Sequence, residues 1–184
     1  MPMALTLIEA IAGRPKAEEI ARGLGLQSWD ARHASDTFRF NRPFAITAMQ
    51  NLGAFWNWEK FGIELAAGVD EVSLALVADS WSRTYRSRAV TFAPTKNPVT
   101  TQSGLRVVPD VVAANWPIET LVSRFDRRRP AIALDDTLRA IGRRYGSETE
   151  NFVATQLEYP QAAQFANHMN RTSAAPDELS LLYR

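Results

Sequence analysis

The sequence predicts a helix-rich α/β fold, a small, mainly parallel sheet with flanking helices. Three observations carry that expectation. An apolar run at 61–66 (FGIELA) is followed by an amphipathic helical segment and then by an alternating run at 89–93 (AVTFA), the strand–helix–strand order of a parallel unit. Helical periodicity brackets this unit, before it near the N-terminus and after it at 133–160. Turn chemistry, from Pro94 to Pro98 and at Gly104, separates the remaining extended pieces, giving a sheet of roughly three or four strands fed by residues 61–109.

Composition sets the class. A chain of 184 residues suits one domain of ordinary size, or one domain plus extra helices, and 46% apolar with 22% charged residues is enough for a packed core over most of it. The 21 basic and 20 acidic residues leave a formal charge of +1, so no global field draws the chain to nucleic acid or acidic lipid. The absence of cysteine removes a disulfide framework, a thiolate metal site and a thiol nucleophile. No run approaches the ~20 apolar residues of a membrane span. The apolar opening MPMALTLIEAIAG is interrupted by Glu9, with Arg14 and Lys16 on the wrong side for a signal peptide. The expected setting is cytoplasmic, with no membrane partner.

Along the chain, Leu5, Ile8 and Ala12, with Leu7 and Ile11 alongside, read as a buried amphipathic helix. An opening this abrupt on a core helix raises the expectation of a fragment of a longer protein or of an internal start at Met1. PKAEEIARGLGL predicts a second helix, with Pro15 at its start, Glu18 and Glu19 in its first turns, and Gly23 or Gly25 as its stop. Residues 27–42 read as a polar, aromatic connector with one short extended piece at 37–40. Pro43 then opens FAITAMQNLGAFWNWEKF, where Ile46, Met49, Leu52, Ala54, Phe55 and Trp58 form an apolar helical face. Trp56 and Trp58 read as core or interface filler, because no basic residues interleave them as a base-stacking platform would need. Gly68 is the turn leaving the first strand, and Asp70 or Ser73 caps the next helix. In that helix Leu74, Val77, Ala78, Trp81 and Tyr85 share one face. Residues 100–103, Gly104 and 105–108 make a hairpin or extended pair ending at Pro109 and Asp110.

The stretch from GIELAAGVDEVSLALVADSWSRTYRSRAVTFAP to TKNPVTTQSGLRVVPD, roughly 61–112, resembles the opening of the PfpI-type branch of the class I glutamine amidotransferase-like superfamily. The matching hairpin residues are Pro98, Val99, Thr101, Gly104, Leu105, Val107, Pro109 and Asp110. The branch associated with AraC-type transcriptional regulators is the nearest in pattern. ALDDTLRAIGRRYGSETENFVATQLEYP at 133–160 is similar to the closing helices of the same family. The N-terminal helix pair repeats those closing helices at an offset of 133, which sets Leu5 on Leu138, Ile8 on Ile141, Gly13 on Gly146, Ala21 on Ala154 and Leu24 on Leu157. The resemblance implies a shortened, flavodoxin-like domain over 60–160, a helix pair at 1–26 derived from the end of a similar domain, a connector and aromatic helix at 27–59, and a tail at 161–184.

The resemblance also implies a Cys nucleophile on a strand-to-helix elbow, helped by a His and by a Glu near the first helix. This chain has no Cys, nothing between Asp110 and Ala133 reads as such an elbow, and the helper Glu position falls near Ser73. The expectation is a domain without amidase or protease chemistry, with no catalytic residue, no metal and no cofactor. His33, Ser35 and Asp36 have triad residue types but crowd within one connector. Asp135 and Asp136 suit a helix N-terminus, and Gly23 and Gly25 lack the rest of a dinucleotide loop. Arg124, Arg127, Arg128 and Arg129 form the densest charge cluster, read first as a solvated loop and second as a phosphate or nucleic-acid contact.

Three function classes follow: a regulatory or ligand-sensing module, an interaction module, and an enzyme of unrecognised chemistry, the last disfavoured by the empty inventory. For the first, a small-molecule pocket is expected at the strand ends around Gly68, Asp70, Glu71 and Ser73, and around Lys96 in the 94–96 turn. For the second, Trp56 and Trp58 are the expected interface of a homodimer. Nucleic acid is disfavoured as a partner of this chain alone.

Overall fold

In the computed structural model, which describes residues 2–26 and 41–159, the chain is a helix-rich α/β protein with a small parallel sheet. Helices α1 (Pro2–Ala12) and α2 (Arg14–Leu24) form a hairpin, and α3 (Arg42–Gly53) follows. Strand β1 (Glu59–Glu64) leads through α4 (Glu71–Ser82) to β2 (Ser87–Ala93), which pairs parallel to it in register from Glu59 on Ser87 to Glu64 on Phe92. Strands β3 (Val99–Thr100) and β4 (Arg106–Val107) make a separate antiparallel hairpin. Strand β5 (Val111–Val112) then adds parallel to the far edge of β2, so the sheet order is β1-β2-β5. Helices α5 (Pro130–Tyr145) and α6 (Ser147–Gln156) close the fold.

Alternation along β1 decides which side is the core. Phe61, Ile63 and Leu65 are buried toward α4 and α5, and Phe61 stacks on Trp81 of α4 with ring centroids 4.0 Å apart. Leu134, Leu138 and Ile141 of α5 and Phe152, Val153 and Ala154 of α6 complete this cluster. Each fully buried aliphatic side chain there contributes about 1.5–3 kcal/mol. The opposite face of β1 is covered by Trp116, which lies so close over Gly62 that an added Cβ would meet its ring at 2.3 Å. Gly62 is therefore a position of close approach that no side chain fits.

Several expectations change. The helical face proposed for residues 46–58 is turned outward: Ile46, Met49 and Leu52 are exposed, while Thr47 and Asn51 are buried, with Phe44 and Ala48 packed against the core. The reason is a polar tie. The Asn51 amide nitrogen donates to Thr149 Oγ1 of α6 at 3.3 Å inside the interior, and the Phe44 ring packs tilted by 39° against Phe152 with centroids 4.6 Å apart. This helix ends at Gly53, so Trp58 sits in the lead to β1. Helix α4 ends at Ser82, and Tyr85 takes a left-handed φ of +60 outside it. Helix α5 begins at Pro130, so Asp135 and Asp136 lie beyond its first turn. There Asp136 pairs with Arg128 and Arg139, and Asp135 accepts from the Tyr159 hydroxyl at 2.9 Å. In α1, Leu5 is buried but Leu7 and Ile11 are exposed. The extended piece at 37–40, the connector through residue 40, and the tail from 161 onward lie outside the described residues, while Asn41 and Arg42 of the expected connector start α3.

Candidate functional site

Among the described residues, a recess lies at each end of β1. The larger, about 1100 Å³, opens at the carboxyl end. Its floor is the β1–α4 loop, Ala66 to Asp70. One wall is α2, through Glu19, Ile20, Gly23 and Leu24, and the other is the segment from Arg124 to Pro130 that leads into α5. Crevices outside the carboxyl ends of parallel strands are where open α/β sheets take ligands, because the loops there diverge and leave space.

The floor is held by backbone hydrogen bonds to the β3–β4 hairpin. The Gly68 N–H donates to the Thr100 carbonyl at 2.8 Å, and the Gln102 N–H donates to the Val69 carbonyl at 3.0 Å. Asp70 caps α4, its Oδ2 accepting from the Ser73 N–H at 2.7 Å, which decides between the two expected caps. The Ser103 hydroxyl donates to the Glu71 carboxylate, and this bond holds the Glu71 carboxyl below its ordinary range.

The sequence-predicted residues thus divide. Gly68 and Asp70 line the cleft. Glu71 is turned aside to Ser103, Ser73 is fully buried in the first turn of α4, and neither lines it. Lys96 is exposed in the turn after β2 and is not brought to the cleft either. His33, Ser35 and Asp36 lie outside the described residues. The residues that sequence reasoning did not join to this site are those of α2, far away in the chain, and the arginine segment, which it set apart as a solvated loop. Arg124 reaches back to Glu64 at the end of β1 at 2.9 Å, and Arg128 pairs with Asp136 of α5.

The smaller recess, about 470 Å³, lies at the amino ends of β1 and β2 among Asn57, Trp58, Glu59, Arg86, Arg144 and Tyr145. Arg144 Nε donates to Glu59 Oε2 at 3.0 Å and the Tyr145 hydroxyl donates to the same oxygen at 2.6 Å. The Arg144 contact holds the Glu59 carboxyl below its usual range, while burial raises the Tyr145 hydroxyl. Arg86 lies over the Tyr145 ring at 4.7 Å. Glu59, Arg144 and Tyr145 tie α5 to β1, and nothing in sequence spacing signals a cluster whose members stand 85 residues apart.

Trp56 and Trp58 are exposed at 71% and 57%, beside the outward strip of α3. Among the described residues no group of acids and histidines could hold a metal, and no helix is long and apolar enough to cross a membrane. Comparisons with protein-family models, curated proteins and solved structures returned no match.

Proposed function

We propose that this chain is a non-catalytic, ligand-binding module of a regulatory kind, whose ligand occupies the cleft at the carboxyl end of β1. The carrying observation is position: a recess of about 1100 Å³, large enough for a small molecule, opens where the strand ends, the Gly68 loop and the start of α5 converge. The amidotransferase-like pattern of residues 61–112 supports the same reading, since its transcription-associated branch implies a sensing domain. Among the described residues the cleft offers no histidine and no cysteine, and its acids are engaged with other groups, so binding is the chemistry its lining suits.

The test is a thermal-shift panel of cytosolic metabolites on the whole chain, run beside Ala67→Trp. Ala67 is exposed on the cleft floor, so the indole fills the recess without entering the core. Ligands that raise the melting midpoint of the natural chain and fail to raise that of the variant support the reading. Saturable turnover of any of them by the pure protein overturns the non-catalytic part.

A second reading, a homodimerisation surface, is favoured by one observation: Ile46, Met49 and Leu52 of α3 and Trp56 beyond it are all more than half exposed. Sedimentation over a wide concentration range, with Met49→Glu as the comparison, decides it. A dimer that the variant abolishes supports this reading, and a monomer throughout removes it.

A further inference from the structure

We infer that the ligand of the cleft is an anion, a small molecule bearing a carboxylate or phosphate, gripped by Arg127 and Arg129. This inference rests on the ligand-binding reading above and gives its ligand a chemical class. The charges of the lining do not balance among themselves. Four guanidiniums, Arg124, Arg127, Arg128 and Arg129, enter the cleft wall from one short segment. Two are already matched: Arg124 lies 2.9 Å from Glu64 and 3.9 Å from Asp126, and Arg128 pairs with Asp136. Among the described residues, Arg127 and Arg129 have neither an ion pair nor a side-chain hydrogen bond.

The acids of the lining show the reverse. Glu19 is held by Lys16 at 2.9 Å, Asp70 accepts from the Ser73 amide, and Asp126 faces Arg124. The lining therefore has two cations to spare and no anion without a partner. Arg129 is also placed from outside its own segment. Its stem lies against Gly25 at the end of α2, where an added Cβ would come within 2.8 Å of Arg129 Cβ. The close approach of α2 fixes where the Arg129 side chain begins. A guanidinium grips carboxylate and phosphate oxygens through paired, charge-assisted N–H donors, and two of them two positions apart suit one multi-oxygen anion.

The experiment uses the whole chain with three probes at constant ionic strength: inorganic phosphate, succinate and the neutral succinamide. Binding is read by calorimetry and by the melting midpoint, for the natural chain, R127Q/R129Q and A67W. The expected result is that phosphate or succinate binds while succinamide does not, and the probe that binds distinguishes the two anion sources. The arginine pair variant then weakens binding by about tenfold or more, with its ligand-free melting midpoint unchanged. A67W blocks the same anion.

Anion binding that survives R127Q/R129Q overturns the inference, as does equal binding of succinamide. Neutral panel ligands that A67W blocks, with no anion bound, overturn the inference and leave the ligand-binding reading standing. Anions that need the arginines but ignore A67W sit outside the cleft and count against both.

Discussion

Gly13 and Gly146 take nearly the same backbone angles, φ +82 with ψ 162 and φ +93 with ψ 159, and each starts the second helix of a hairpin. The likeness extends bond by bond. Each glycine N–H donates four residues back at 2.9 Å, to Glu9 in one hairpin and Gly142 in the other. At the far ends, Leu26 donates to Ala21 at 3.0 Å and Tyr159 to Ala154 at 2.9 Å, while Gly25 donates to Arg22 and Glu158 to Thr155, both at 3.1 Å. The surroundings differ. Helix α5 packs along α4, with Leu138 and Ile141 buried, and its Arg144 reaches β1. Helix α1 packs mainly on α2, its Ile11 is 78% exposed where α5 has Arg144, and α2 walls the cleft. The comparison teaches that the glycine and the helix spacing set the backbone of this unit, while outward residues decide whether it closes a core or borders a site.

The largest effects come from the two glycines, whose angles lie in a region essentially restricted to glycine. Gly146→Ala costs about 1–3 kcal/mol of global stability, read as a lower denaturant midpoint of the whole chain. Gly13→Ala meets the same strain, but its cost appears as faster amide exchange within residues 2–26, with little change in the global midpoint. Equal loss of global stability in both variants would break the division of labour.

Next in size is a swap of partners. At equivalent positions the first hairpin has Glu9 and Ala17, the second Gly142 and Glu150. Burial raises the Glu150 carboxyl, and an added Cβ on Gly142 would lie 2.1 Å from its Oε2. Gly142→Glu brings two carboxylates together and overfills the crossing, costing about 1–3 kcal/mol. Adding Glu150→Ala reproduces the first hairpin's pattern and restores most of that loss, as paired denaturant melts of the single and double variants will read.

A smaller effect is in pH. The Arg144 contact depresses the Glu59 carboxyl in the folded chain, so the stability it contributes is present above the ordinary glutamate range and is lost as pH falls through the depressed value. With solvent screening the contribution stays below about 1 kcal/mol. Glu59→Gln flattens that part of the acid limb of stability against pH, and an unchanged limb would mean the pair does nothing. Smallest is Ile11→Lys, which places a cation on the exposed face of α1 and changes stability, read from denaturant melts, by no more than about 0.5 kcal/mol.

The parallel unit was legible because FGIELA and AVTFA carry their periodicity in sequence, and the hairpin repeat because glycines at equal offsets mark equal breaks. The face of α3 was misread because Ile46, Met49 and Leu52 have helical spacing, whereas the Asn51–Thr149 bond that turns the helix joins residues 98 apart. Strand β5 was missed at two residues, too short for any period to register. Of the cleft, the floor at Gly68 and Asp70 was legible from strand-end logic. Its walls were not, because α2 and the arginine segment meet there only through tertiary packing.

The most direct measurement of the central claim is a titration of the whole chain with small-molecule ligands from the thermal-shift panel, followed by amide chemical shifts. The account predicts shifts concentrated at residues 68–70, 124–130 and 19–24, with the core of α5–α6 silent. Shifts concentrated at the Glu59–Arg144 recess or on α3, with none around the cleft, would contradict it.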